Sequence, residues 1–230
     1  MATYVLVHGS WQGGWIWKPV AAKLRAAGHE VYAPTLDGCA ERAHALREEI
    51  TLDSQGAEIA DLMFFEDLKN VILVGTSSGG MVVLRAAELA TDRIRRIALI
   101  DALAPMPGET VAEINGRAPQ PATSLAYGLP PDERAEKAFT DIPPEMRAWA
   151  VQRYTLHPSA PTEARVDLHE FWSRKWQVDV MKCLRAPNPP TVHQKRTAEK
   201  LGGTYTELDA GHYPMLSHVD EVSAYLLKMA

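Results

Sequence analysis

Gly75-Thr76-Ser77-Ser78-Gly79 follows directly on the apolar run Val71-Ile72-Leu73-Val74. No other feature of the chain narrows its fold so far. A short continuous run of β-branched and leucine residues reads as a strand buried on both faces. G-x-S-x-G straight after it reads as a sharp turn into a helix, here through Met81-Val82-Val83-Leu84-Arg85-Ala86-Ala87. The glycines let backbone segments approach where a Cβ would collide. The serine at the tip is held in strain, with its hydroxyl open to a cleft. Two serines compete for that place. Centring the pattern on Ser77 puts glycine at both flanking positions, whereas centring it on Ser78 puts Thr76 where the first glycine belongs. The spacing therefore assigns Ser77 as a nucleophile and the Ser78 backbone N–H as an oxyanion donor.

The rest of the first half repeats the strand–helix alternation. Tyr4-Val5-Leu6-Val7 reads as a buried strand, and Trp17 to Ala27 as a helix ended by Gly28. Glu30 to Ala33 is the next strand, stopped by Pro34. Asp53 to Phe65 reads as a helix with Asp53 or Ser54 as N-cap. Arg96 to Ile100 is a further strand. This rhythm predicts an α/β fold, a mostly parallel sheet with helices on both faces. Prolines then recur from Pro105 to Pro161 among short helical pieces and Trp149, Phe171, Trp172 and Trp176. Residues 105–176 are expected to form an inserted helical cap over a core of 1–104 and 177–230. In the core, strands return at Val178–Met181 and Thr204–Leu208, with helices at Val192–Leu201 and Val219–Met229.

Composition narrows the partners. The 230 residues suit one domain with a sizeable core. The net charge is −5, and no basic patch carries interleaved aromatics, so nucleic acid is not an expected partner. The positive charges between Lys182 and Arg196 read as a solvated face. No apolar run approaches the ~18 residues of a membrane span. The first residues have no basic, apolar leader pattern. Cys39 and Cys183 lie far apart and read as two free thiols, which points to a reducing cytoplasm. The eight histidines form no metal-binding pattern, and no cofactor motif is present.

A serine hydroxyl must lose its proton as it attacks, so Ser77 needs a base. His212, in Asp209-Ala210-Gly211-His212-Tyr213-Pro214, sits between the last strand and the last helix, at the sheet edge that carries the turn. The base needs an orienting carboxylate. The loop Leu184 to Pro190, the usual place for one, holds no acid. Asp179 lies inside a strand pattern, and Asp209 is too close in sequence to His212. Asp101, directly after the strand that follows the Ser77 helix, is the remaining candidate. A turn-capping aspartate is the competing reading. His8-Gly9-Ser10-Trp11-Gln12-Gly13-Gly14-Trp15 follows the first strand, and the Ser10 N–H is the expected second oxyanion donor. His8 is expected to be a structural hydrogen-bonder. Gly9, Trp11, Trp149 and Trp172 are the residues expected to touch substrate.

These residues resemble the α/β-hydrolases. The carrying segments are His8-Gly9 with Gly13-Gly14-Trp15, Val71 to Met81, and Gly211-His212 with Met215-Leu216. Pro34-Thr35-Leu36-Asp37-Gly38 with Glu41 to His44 adds to them. The branch that they resemble holds plant methyl esterases, hydroxynitrile lyases and bacterial esterases. The resemblance covers about residues 1–105 and 200–230, and it leaves the cap uncovered. It implies acyl chemistry without a cofactor on a small-molecule ester or lactone: Ser77 attacks, His212 is base and then acid, Asp101 fixes the tautomer, and the Ser10 and Ser78 N–H groups hold the oxyanion. A lyase of this branch carries Thr and Lys where this chain has Gly9 and Tyr213, which favours hydrolysis. A lactonase, a carbon–carbon bond hydrolase and a ligand receptor with little turnover use the same scaffold and stay open. So does the oligomeric state, up to a homodimer.

Overall fold

A computed structural model describes residues 1–120 and 123–230. Its strands are β1 Thr3–Val7, β2 Glu30–Tyr32, β3 Val71–Ser77, β4 Ile94–Ala102, β5 Ala126–Tyr127, β6 His157–Pro158, β7 Val178–Cys183 and β8 Thr204–Leu208. Six of them form a wholly parallel sheet in the order β2-β1-β3-β4-β7-β8. The short β5 and β6 pair antiparallel outside it.

The core helices are α1 Lys18–Ala26, α2 Leu52–Phe65 and α3 Gly79–Leu89. Between β4 and β7 come the short helices α4 Val111–Ile114, α5 Pro131–Lys137, α6 Pro144–Val151, α7 Ala160–Glu163 and α8 His169–Ser173. After β7 follow α9 Thr191–Leu201, α10 Pro214–Ser217 and α11 Val219–Leu227. The stretch of residues 105–176, expected from the prolines to be a cap, holds the short helices α4 to α8.

Alternation along each central strand feeds two cores. Tyr4, Leu6, Ile72 and Val74 pack with Trp17 and Leu24 of the α1 side and Leu226 of α11. Val5, Val7, Val71 and Leu73 pack with Ile59 and Met63 of α2 and with α3. Both faces of the central strands β1 and β3 are therefore dry, which is why these two read as unbroken apolar runs.

Several boundaries differ from the sequence reading. Thr51, not Asp53 or Ser54, caps α2. Its hydroxyl accepts from the Ser54 N–H while the Ser54 hydroxyl accepts from the Thr51 N–H, a reciprocal box that frees Asp53 for Arg85. β3 runs on to Ser77, and β4 to Ala102, so both carry their last residues into the loops at the sheet's C-terminal edge. In parallel α/β sheets that edge is where ligands bind.

Candidate active site

The turn after β3 is built by close backbone approach. A Cβ on Gly79 would lie 2.3 Å from the His8 carbonyl oxygen, and one on Gly9 would lie 2.5 Å from the Ser77 Cβ. Only hydrogen fits at either place. The loop after β1 therefore sits against the tip of the turn. Ser77 itself has φ +52°, a strained conformation for a residue with a side chain.

A second strained residue lies on the neighbouring strand. Between β3 and β4 the register slips, so that Thr76 pairs Ile100 and Ser77 pairs Ala102. Asp101 is the extra residue of this bulge and has φ +46°. Asp101 is thus inside β4 rather than after it, and the bulge re-aims its side chain. The carboxylate is fully buried. Its Oδ2 accepts from His212 Nδ1 at 2.6 Å. Its Oδ1 accepts from Lys182 Nζ at 2.9 Å and from the Cys183 N–H at 3.1 Å.

His212 is about one-fifth exposed, in the loop between β8 and α10. A cavity of about 520 Å³ is lined by His212, Ser77, Ser78, Ser10, Leu103 and Tyr127, among others. A second cavity, about 630 Å³, shares Trp11, Tyr127, Pro187 and His212 with it and extends past Phe139, Tyr154 and Tyr213. The two meet at His212. Burial pushes the phenols of Tyr127 and Tyr213 above their ordinary values, so both walls are neutral aromatics.

The first loop and the turn are also joined by side chains. Ser10 Oγ lies 2.8 Å from Ser78 Oγ and 2.7 Å from the Tyr127 hydroxyl. Thr162 Oγ1 donates to the Tyr127 hydroxyl at 3.2 Å. The backbone N–H groups of Ser10 and Ser78 have no acceptor among the described residues. Below the loop, His8 Nε2 accepts from the Leu36 N–H at 3.0 Å, and its Nδ1 donates to the Gly9 carbonyl at 2.8 Å. Burial lowers the His8 pKa to about 4, so the ring is a neutral strut.

Ser77, His212, Ser10, Ser78 and Trp11 thus share a cavity wall, Asp101 stands behind His212, and Gly9 lies directly beneath Ser77. The two cap tryptophans differ from expectation. Trp149 packs edge-to-face on Trp15 at 5.2 Å with the Arg153 guanidinium over its ring. Trp172 donates from Nε1 to the Pro105 carbonyl at 2.9 Å and packs on Phe171. Neither is among the residues lining the two cavities. Their large apolar surface covers the core. Asp179 is held by Arg96 and Thr204, whereas His212 Nδ1 is paired with Asp101.

Lys182 overturns the sequence reading of a solvated face: its side chain is 1% exposed. A lysine inside the run Val178-Asp179-Val180-Met181-Lys182-Cys183 was the available signal, because a strand buried on both faces has no solvent for it. Among the described residues no group of three histidines, cysteines or acids is placed to hold a metal ion. Both cysteines are free and buried. No helix among the described residues is long and apolar enough to cross a membrane.

The chain is similar in sequence and in fold to known proteins. The chain is 39% identical over 127 residues to a carbendazim hydrolyzing esterase of Nocardioides sp. (strain SG-4G); the match spans 55% of this chain and about half, 52%, of that protein. It is 28% identical over 255 residues to salicylic acid-binding protein 2 of Nicotiana tabacum, covering 99% of this chain and 96% of that one. Its fold superposes on an extracellular alpha/beta-hydrolase of a Paenibacillus species with a TM-score of 0.82, at 24% identity, over 99% of this chain and 98% of the other. The sequence profile of the alpha/beta hydrolase family matches residues 4–225, and the chain belongs to that family.

Proposed function

We propose that this chain is a serine esterase acting on small to medium apolar carboxylic esters through an acyl-enzyme. The observation that carries the reading is the 2.6 Å bond between His212 Nδ1 and the buried Asp101, at a cavity that Ser77 also lines. Ser77 Oγ attacks the ester carbonyl while His212 Nε2 takes its proton. Asp101 keeps the hydrogen on Nδ1, which leaves Nε2 free as base, and stabilises the imidazolium that forms. The unpaired N–H groups of Ser10 and Ser78 receive the oxyanion, each donor contributing about 100–1000-fold in rate. His212 then gives its proton to the leaving alkoxide, and water releases the acyl group by the reverse path.

The two cavities divide the substrate. The one lined by Ser77, Ser10 and Ser78 takes the acyl part. The one that touches His212 without Ser77 takes the alcohol, because His212 must reach the leaving oxygen. Its walls, Trp11, Phe139, Tyr154 and Tyr213, favour an apolar or aromatic alcohol. Residues 105–176 act as the cap that supplies Tyr127, Phe139 and Tyr154.

A relative named as a salicylic acid-binding protein supports a second reading, a receptor with little turnover. A panel of esters and lactones separates the two. An esterase releases many equivalents of product per protein at a constant rate. Release that stops at one equivalent, with ligand-induced stabilisation, would support the receptor.

A further inference from the structure

Lysine is almost never fully buried unless its charge is answered. Lys182 is 1% exposed and Asp101 is 0% exposed. The ammonium has three N–H donors, and all three are used: on Asp101 Oδ1 at 2.9 Å, on the Ala186 carbonyl at 2.8 Å and on the Pro189 carbonyl at 2.9 Å. Taking two ions out of water is costly, and an apolar pair of like volume commonly serves stability as well. A structural role alone therefore gives a weak reason for this pair.

We infer that Lys182 is a positioning residue for the proposed triad: it fixes the Asp101 carboxylate with Oδ2 aimed at His212 and sets a positive charge behind it. The inference rests on the triad reading given above. The two carboxylate oxygens have separate tasks. Oδ1 is fixed by Lys182 and the Cys183 N–H, so the group cannot turn, and Oδ2 is left for His212. The imidazolium formed during the reaction meets a neutral ion pair rather than a lone carboxylate. The loop of residues 184–190, empty of acids, supplies two carbonyls to Lys182 and also walls both cavities through Pro187.

The other charged or titratable groups around this pair are already engaged. On β7, the Cys183 thiol is pushed up by burial and stays neutral. On β8, Glu207 stands opposite Lys182 in register, but it is exposed and accepts from the Tyr205 hydroxyl. Before α6, Asp141 accepts from the Tyr213 N–H. On α9, His193 accepts from the Ala104 N–H, and Arg196 pairs with Glu109. Beyond them, Arg185 and Asp209 pair in solvent. Among the described residues Lys182 is the only lysine or arginine in contact with Asp101.

The test is the pH profile of kcat/KM for p-nitrophenyl butyrate with the wild type, Lys182→Met, Lys182→Gln, Asp101→Asn and the Asp101→Asn/Lys182→Met double variant. Removing the positive charge favours the imidazolium. The acidic limb of both lysine variants is expected to move to higher pH by about one unit. Their kcat falls about 10- to 100-fold with KM nearly unchanged, and the double variant is no slower than Asp101→Asn alone. An acidic limb at the wild-type pH, with Asp101→Asn inactive, would overturn the role of Lys182 and leave the triad reading intact. So would the failure of both lysine variants to fold while Asp101→Asn folds. A fully active Asp101→Asn would instead overturn the triad reading itself.

Discussion

Replacing Asp101 by asparagine is expected to lower kcat about 10,000-fold, while Asp179→Asn leaves kcat within a few-fold of the wild type. The two residues are both nearly fully buried aspartates on neighbouring strands, yet they differ in what they touch. Asp101 accepts from His212 Nδ1. An amide there presents either a donor to Nδ1, which forces the wrong tautomer, or a weaker neutral acceptor. It also strands Lys182 next to an uncharged partner, and breaking a buried pair commonly costs about 3–5 kcal/mol. Asp101→Asn should therefore melt earlier as well as turn over more slowly. Asp179 pairs with Arg96, which is partly open to solvent, and accepts from Thr204. Its loss should cost stability alone. Steady-state kinetics and melting of the two variants check both halves. A slow Asp179→Asn beside an active Asp101→Asn would exchange their roles.

The second large effect is on stability in mild acid. Burial lowers the pKa of His8 to about 4, of His157 to about 3 and of His193 to about 4. An unfolded histidine titrates near 6.5. These are bases whose folded values lie below the unfolded one. The unfolded chain therefore takes up their protons first as pH falls through 6.5, and the fold loses stability from there down to about pH 4 for His8 and His193 and about pH 3 for His157. At pH 5 the linkage amounts to about 2 kcal/mol for each ring, or about 6 kcal/mol for the three together. That is comparable with the whole stability of many domains. The melting temperature should fall by at least about 10 °C between pH 7 and pH 5. An unchanged melting temperature over that range would mean that these rings take up protons inside the fold. Burial is the main cause, and protonation would also break a contact at two of the rings: His8 and His193 each accept a backbone N–H through Nε2.

The elbow and His212 are legible in the chain because their signals are local. A buried strand, a glycine on each side of the serine and a loop histidine after the last strand are patterns along the sequence. Asp101 is legible only through its strand neighbours, and the bulge that turns it is not. A register slip depends on how β3 and β4 pair, and no residue pattern announces it. Lys182 reads as surface because charge is usually solvated; its burial follows from β7's being covered on both faces. The link from Ser10 to Tyr127 joins residues 117 apart in sequence and depends on how the 105–176 segment settles. The same settling directs Trp149 and Trp172 onto the core and brings Tyr127, Phe139 and Tyr154 to the cavities in their place.

The central claim is that Ser77 is the nucleophile. Treating the folded protein with a fluorophosphonate and mapping the adduct by peptide mass spectrometry tests it most directly. The wild type should carry one label, on Ser77, with activity lost in proportion, and Ser77→Ala should carry none. A label on Ser78, or equal labelling of Ser77→Ala, would contradict the account.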